Sequence, residues 1–145
     1  MRILIAAIGR MRPDPERDHY RHYTSRIRKW TVETREIEPR RRTEAELLLD
    51  AAPKGSVIVP LDEGGTELGS EKFADQLGRW QDDGEAQLSF LIGGADGLAK
   101  QVLDRGRLIL SLGRYTWPHM LARIMLAEQI YRAQQILERH PYHRS

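Results

Sequence analysis

Three of the apolar runs in this chain empty into glycine-bearing loops. These loops are Leu61-Asp62-Glu63-Gly64-Gly65, Ile92-Gly93-Gly94-Ala95-Asp96-Gly97 and Leu112-Gly113-Arg114-Tyr115-Thr116-Trp117. Glycine in such a place lets a ligand approach the backbone closely. Each loop alone is ordinary turn chemistry. The adjacent glycines Gly93-Gly94 break the Gly-x-Gly-x-x-Gly dinucleotide pattern, and no Gly-Lys-Ser/Thr follows them. A nicotinamide oxidoreductase and a phosphate-loop NTPase are therefore disfavoured. A second group lies nearer the C-terminus. Glu128 and Arg132 stand four residues apart, in the favourable order for a helical ion pair. The chain closes on Pro141-Tyr142-His143-Arg144-Ser145. A phenol, an imidazole and a guanidinium together can stack on a base and hold a phosphate. The plain alternatives are a structural ion pair and a frayed terminus.

Other chemistries are thinner. The chain has no cysteine, which rules out disulfides, thiolate metal ligation and a thiol nucleophile. His19 and His22 fall three apart on a helical stretch, where two histidines more often face solvent than bind a metal. No metal site is expected. His119, beside Pro118 at a helix start, reads as structural.

The elements that must position these residues alternate. Arg2–Ile8 is a continuous apolar run closed by Gly9, the pattern of a buried strand. Asp14 to Trp30 opens as a helix behind two prolines, and Thr31–Glu38 is a weak strand stopped by Pro39. Thr43 with Glu46 makes a capping box for a helix through Ala51. Ser56–Leu61 is a buried strand, and Ser70 is expected to cap a helix to about Asp83. Gln87–Ile92 is a strand, Ala99–Asp104 a short helix and Arg107–Leu112 a fifth strand. Pro118 begins the longest helix, to about Arg139. Its first turns are apolar nearly all round, which calls for cover by the sheet and by a second subunit. Buried strands alternating with helices imply an α/β fold with a mostly parallel sheet and helices on both faces. In such folds ligands sit beyond the carboxyl ends of the strands, where the three loops converge.

The 145 residues suit a single domain, 1–145. No run approaches the length of a membrane span, and the N-terminus is too short for a secretory signal, so a cytoplasmic protein is expected. The net charge is +2, but its distribution is uneven. Residues 1–42 carry +6, residues 43–98 carry −9 and residues 99–145 carry +5. Of 23 basic residues, 19 are arginine. That bias suits nucleic acid and is equally compatible with a GC-rich genome.

Taken in order, several segments resemble the RlmH family of bacterial 23S rRNA (pseudouridine-N3) methyltransferases. They are Leu61–Gly65 with Ser70-Glu71-Lys72-Phe73-Ala74, Phe90–Gly97, Thr116-Trp117-Pro118-His119 with Leu121-Ala122-Arg123, Glu128–Ala133 and Pro141-Tyr142-His143. The resemblance covers the whole chain, and the stretch from Thr116 to His143 is its most specific part. It implies the SPOUT α/β knot, with a parallel sheet of five to six strands and a C-terminal trefoil knot. It also implies S-adenosylmethionine as cofactor, a homodimer, and methylation of N3 of a pseudouridine in assembled ribosomes. Cofactor contacts carried over from the family fall on Leu61, Gly93, Leu112, Gly113, Arg114, Tyr115, Thr116 and Trp117. Tyr142, His143 and Arg132 are the expected catalytic residues, and Arg144 and Arg123 the expected RNA contacts. The missing cysteine agrees with attack at nitrogen, since carbon-5 methylation of pyrimidines usually needs a thiol adduct. The competing expectations are a non-catalytic ribosome-associated RNA-binding factor of the same fold, a flavodoxin-like nucleotide-binding protein, and a methyltransferase of the same superfamily with a different target.

Overall fold

The computed structural model describes residues 1–139 and residue 142. Ten elements alternate along them. They are β1 (Arg2–Ile8), α1 (Pro15–Thr24), β2 (Thr31–Ile37), α2 (Glu44–Ala51), β3 (Val57–Glu67), α3 (Ser70–Asp82), β4 (Gln87–Ile92), α4 (Lys100–Leu103), β5 (Leu110–Ser111) and α5 (His119–Leu137). The strands form one five-stranded sheet in the order β2-β1-β4-β3-β5, and every pairing is parallel.

Successive side chains of a strand point to opposite faces, and the core divides accordingly. Ile3, Ile5 and Ala7 of β1, with Leu88, Phe90 and Ile92 of β4, pack under α1, α3 and α5. Leu4, Ala6 and Ile8, with Ile58 and Leu91, pack under α2 and α4. On α3, Phe73, Leu77 and Trp80 supply the buried stripe, and α5 buries Ile124, Leu126, Ala127, Ile130 and Ala133. Burying each of the larger of these side chains contributes roughly 1.5–3 kcal/mol. This two-sided cover is why the central strands are apolar without alternation.

The first helix, read over Asp14 to Trp30, ends at Thr24, and three further boundaries differ from expectation. The strand read as ending at Leu61 continues to Glu67, and the fifth strand shrinks to Leu110–Ser111. Both changes have one cause. Beyond Pro60, β3 leaves β4 and pairs with β5, with a register break between Leu61 and Thr66. Gly65 permits the close approach, since a Cβ there would lie 2.5 Å from the Ile109 carbonyl oxygen. The third difference is at α3, whose N-cap is Gly69. The Ser70 hydroxyl donates instead to Gln129 Oε1 at 2.7 Å, tying α3 to α5. The Thr43 cap forms as expected, its Oγ1 accepting from the Glu46 amide at 3.2 Å.

Candidate active site

The three glycine loops meet at the carboxyl edge of the sheet around a cavity of about 340 Å³. Leu61, Gly93, Leu112, Gly113, Tyr115, Thr116 and Trp117 all line it. Arg114 is exposed and is not part of the lining. The Gly93 loop closes on itself. The Gly97 amide donates to the Gly94 carbonyl at 3.0 Å. A Cβ on Gly93 would stand 2.6 Å from the Gly97 oxygen, so only glycine fits. Glu44 of α2 braces the same loop by accepting from the Gly94 amide at 3.3 Å.

The segment after β5 is fastened to β3 by side chains. Ser111 Oγ lies 3.1 Å from the Glu63 carbonyl, to which it donates. Thr116 Oγ1 donates to Glu63 Oε2 at 2.9 Å, and Trp117 Nε1 donates to the Leu112 carbonyl at 3.2 Å. Asp62, Glu63 and Asp96 make the lining acidic, with His119 its one basic side chain among the described residues. A carboxylate-rich hollow with apolar walls at Leu61, Ile92 and Trp117 favours a ligand that is apolar in body and cationic at one point.

The expected catalytic residues gather elsewhere. Arg132 forms an ion pair with Glu128, with its Nε 2.8 Å from Glu128 Oε1. The Tyr142 hydroxyl donates to the same carboxylate oxygen at 3.1 Å, and its ring lies 5.0 Å from the Arg132 guanidinium carbon. Tyr131 packs edge-on against Tyr142. Burial, then the Glu128 charge, pushes the Tyr142 phenol up to about 12. It is therefore a protonated donor at neutral pH and not a base. The bond to Glu128 raises the Arg132 pKa further.

Glu128 borders a second, larger cavity of about 580 Å³ between α1, α3 and α5. The two hollows lie on either side of Leu110, Leu112 and Gly113, which line both. Glu128 is nine residues beyond His119, about 13 Å along the helix axis. One copy of the chain thus holds its loop cavity and its Arg132–Tyr142 cluster apart. His143 and Arg144 lie outside the described residues.

One expected RNA contact is corrected. Arg123 is only 1% exposed. Its Nη2 donates to the Ile8 and Gly9 carbonyls at 2.7 and 2.9 Å, and its Nη1 to Glu36 Oε2 at 3.0 Å. Burial lowers its pKa, although Glu36 pulls the other way. With its fork committed inside the chain, it has no face for a phosphate. Glu36, Glu44 and Glu63 were not singled out by the sequence, because nothing in local spacing shows which distant carboxylate reaches a loop.

The described residues contain no cluster of three or more His, Cys, Asp or Glu able to hold a metal, and no helix long and apolar enough to cross a membrane. The family model of the predicted SPOUT methyltransferases matches residues 1–143. A ribosomal RNA large subunit methyltransferase H from Rhodospirillum centenum is 52% identical across all of both chains. One from Paramagnetospirillum magneticum is 48% identical over 99% of both. Among solved structures, a probable methylase family protein from Haemophilus influenzae aligns over 94% of this chain and 68% of its own, with TM-score 0.61 and 11% identity. A probable methyltransferase from Bordetella pertussis aligns over 91% of this chain and 95% of its own, with TM-score 0.59 and 11% identity. The structural likeness carries the fold, and the full-length sequence match carries the family: the chain belongs to the SPOUT methyltransferases, alongside the large-subunit rRNA methyltransferase H proteins.

Proposed function

We propose that this chain is an S-adenosylmethionine-dependent methyltransferase of large-subunit rRNA, acting at N3 of a pseudouridine in assembled ribosomes in the cytoplasm. The observation that carries this is the acidic, glycine-lined cavity at the strand ends, in a chain that matches named rRNA methyltransferases along its full length. Its size is at the lower end of the roughly 300–1,000 Å³ usual for small-ligand sites. The cofactor supplies an electrophilic methyl on a cationic sulfonium.

The residues fit that group. Leu61, Ile92, Leu112 and Trp117 offer apolar walls. Gly93 and Gly113 let a ligand approach the backbone closely, and Asp62, Glu63 and Asp96 oppose a positive charge. Methyl transfer needs the nucleophile, methyl and leaving atom in line, so holding the reactants accounts for much of the rate. The rigid Gly93–Gly97 turn and the Thr116–Glu63 bond are that holding device. N3 must lose a proton. His143 is assigned that acceptor role, because Tyr142 stays protonated. Arg132 holds positive charge beside the site of the developing ring anion.

The separation of cavity and cluster within one chain supports a homodimer in which each copy completes the other's site. The uncovered apolar side chains of Tyr115, 78% exposed, Trp117 and Leu121 at the start of α5 support it too. The C-terminal knot belongs to the same proposal. In its support, Ser111 and Thr116 are bound to the 61–67 segment while α5 goes on to pack against α1 and α3.

Titration calorimetry with S-adenosylmethionine, followed by labelled methyl transfer to large ribosomal subunits lacking the modification, tests the proposal. Binding with transfer is expected. Cofactor-free binding of subunits, with no transfer, would instead favour the non-catalytic factor.

A further inference from the structure

Beside the loop cavity lies a third hollow, of about 440 Å³, that the proposed reaction leaves unused. Gly9, Arg10, Met11 and Arg12 line it together with Asp14 and Glu16 of the next turn, and with His119 and Met120 of α5. His119 also lines the loop cavity, so the two hollows are neighbours on one sheet edge.

The Gly9–Arg12 loop is held firmly. Gly9 takes a φ of +94°, which favours glycine, and its amide donates to the Ile37 carbonyl at 2.8 Å. Arg123 donates to the Ile8 and Gly9 carbonyls from beneath. Glu36, paired with Arg123, accepts from the Met11 amide at 2.5 Å. The backbone is thus pinned on both sides of Arg10. Arg123 stands one turn beyond His119 on α5, which links the loop to the cavity wall. Burying a guanidinium is costly, and an apolar side chain would fill the space. What Arg123 adds is a fixed loop.

The side chains that this loop presents are cationic. Arg10 and Arg12 are exposed. Arg12 has no ion pair among the described residues, and Arg10 reaches Glu38 only at 3.5 Å while 74% exposed. Such a surface pair contributes little and exchanges readily. Of the two carboxylates in the lining, Asp14 is already engaged in capping α1 by accepting from the Glu16 and Arg17 amides, which leaves the exposed Glu16 against the two arginines. The adjacent end of β2 adds Arg41, also without an ion pair among the described residues.

We propose that the Gly9–Arg12 loop docks the phosphate backbone of the substrate RNA beside the methyl-donor cavity, with Arg123 as the positioning residue that fixes the loop. This rests on the assignment of the chain as an rRNA methyltransferase. Pre-set arginines suit phosphate because their forks match its oxygens.

The test is an Arg10→Ala/Arg12→Ala double variant, with Arg12→Lys and Lys54→Ala as comparisons. Lys54 lies in the turn before β3, at the opposite end of the sheet. Direct binding to large ribosomal subunits is measured across salt, alongside methyl-transfer kinetics and S-adenosylmethionine titration. The double variant should bind subunits roughly tenfold or more weakly near 0.1 M salt and lose about two from the log–log salt slope. The KM for subunits should rise, with kcat and cofactor affinity unchanged. Arg12→Lys should keep most of the affinity, and Lys54→Ala all of it. Unchanged affinity and slope in the double variant, or an equal loss in Lys54→Ala, overturns the docking site. A native protein that binds subunits but transfers no methyl overturns the methyltransferase assignment instead, and the binding arm still decides the loop.

Discussion

The two halves of one sheet edge differ in charge and in construction. Beyond β3, β4 and β5 the cavity is walled by glycine backbone and by Asp62, Glu63 and Asp96. Beyond β1 and β2 the surface is built from arginine side chains on a loop braced by Arg123. The first half suits a ligand with a positive centre and the second an anionic polymer. A net charge of +2 conceals this division. The −9 middle of the chain supplies the acidic half, and the +6 N-terminal part supplies the basic one. Their meeting point is His119, at the start of α5.

The contrast breaks most severely at its shared brace. Arg123→Ala leaves Glu36 and two carbonyls without their partner, and should cost about 3 kcal/mol of stability in denaturant unfolding. Arg123→Met should cost less, yet still weaken subunit binding. A readout away from the edge is Arg132→Ala. It should lower kcat about a hundredfold while cofactor affinity holds. Arg132→Lys should recover part of the loss.

Gly93→Ala separates the halves directly. Its Cβ meets the Gly97 oxygen at 2.6 Å, so calorimetry should show cofactor affinity falling some tens-fold, from an overpacking cost of about 2 kcal/mol. Subunit binding through the arginine half should persist. Mixing Gly93→Ala with Arg132→Ala protein sharpens the point. Regained activity is expected if each copy completes the other's site.

A pH test addresses the floor of the basic half. Tyr20 of α1 shares a 2.7 Å hydrogen bond with Thr34 of β2, and burial pushes its phenol up to about 12. A raised folded pKa means that the protonated form is favoured by folding. The associated stability is full below pH 10 and is lost as pH rises toward 12. The loss should be about 2 kcal/mol in unfolding experiments, and Tyr20→Phe should remove much of that dependence. The smallest effect is expected from Thr116→Val. It deletes one exposed bond to Glu63 and should weaken cofactor binding only a few-fold.

How much of this was legible in the sequence follows from what each half is made of. A strand that ends in glycine announces itself locally, so the loops at Gly93 and Gly113 were readable and do line one cavity. The alternation of buried strands and helices likewise gave the parallel sheet. Side-chain partnerships across long separations were not readable. Arg123 and Glu36 are 87 residues apart, and no local pattern distinguishes an arginine facing solvent from one filling the core. The β3 extension was hidden for a similar reason. Gly64-Gly65 reads as a turn until Ile109 arrives beside it.

The most direct test of the central claim is mass spectrometry of large-subunit rRNA from cells lacking this gene, with and without its restoration. The account predicts one pseudouridine whose N3 methyl disappears on deletion and returns with the native gene, but not with the Gly93→Ala form. An rRNA methylation pattern identical in all of these strains would contradict it.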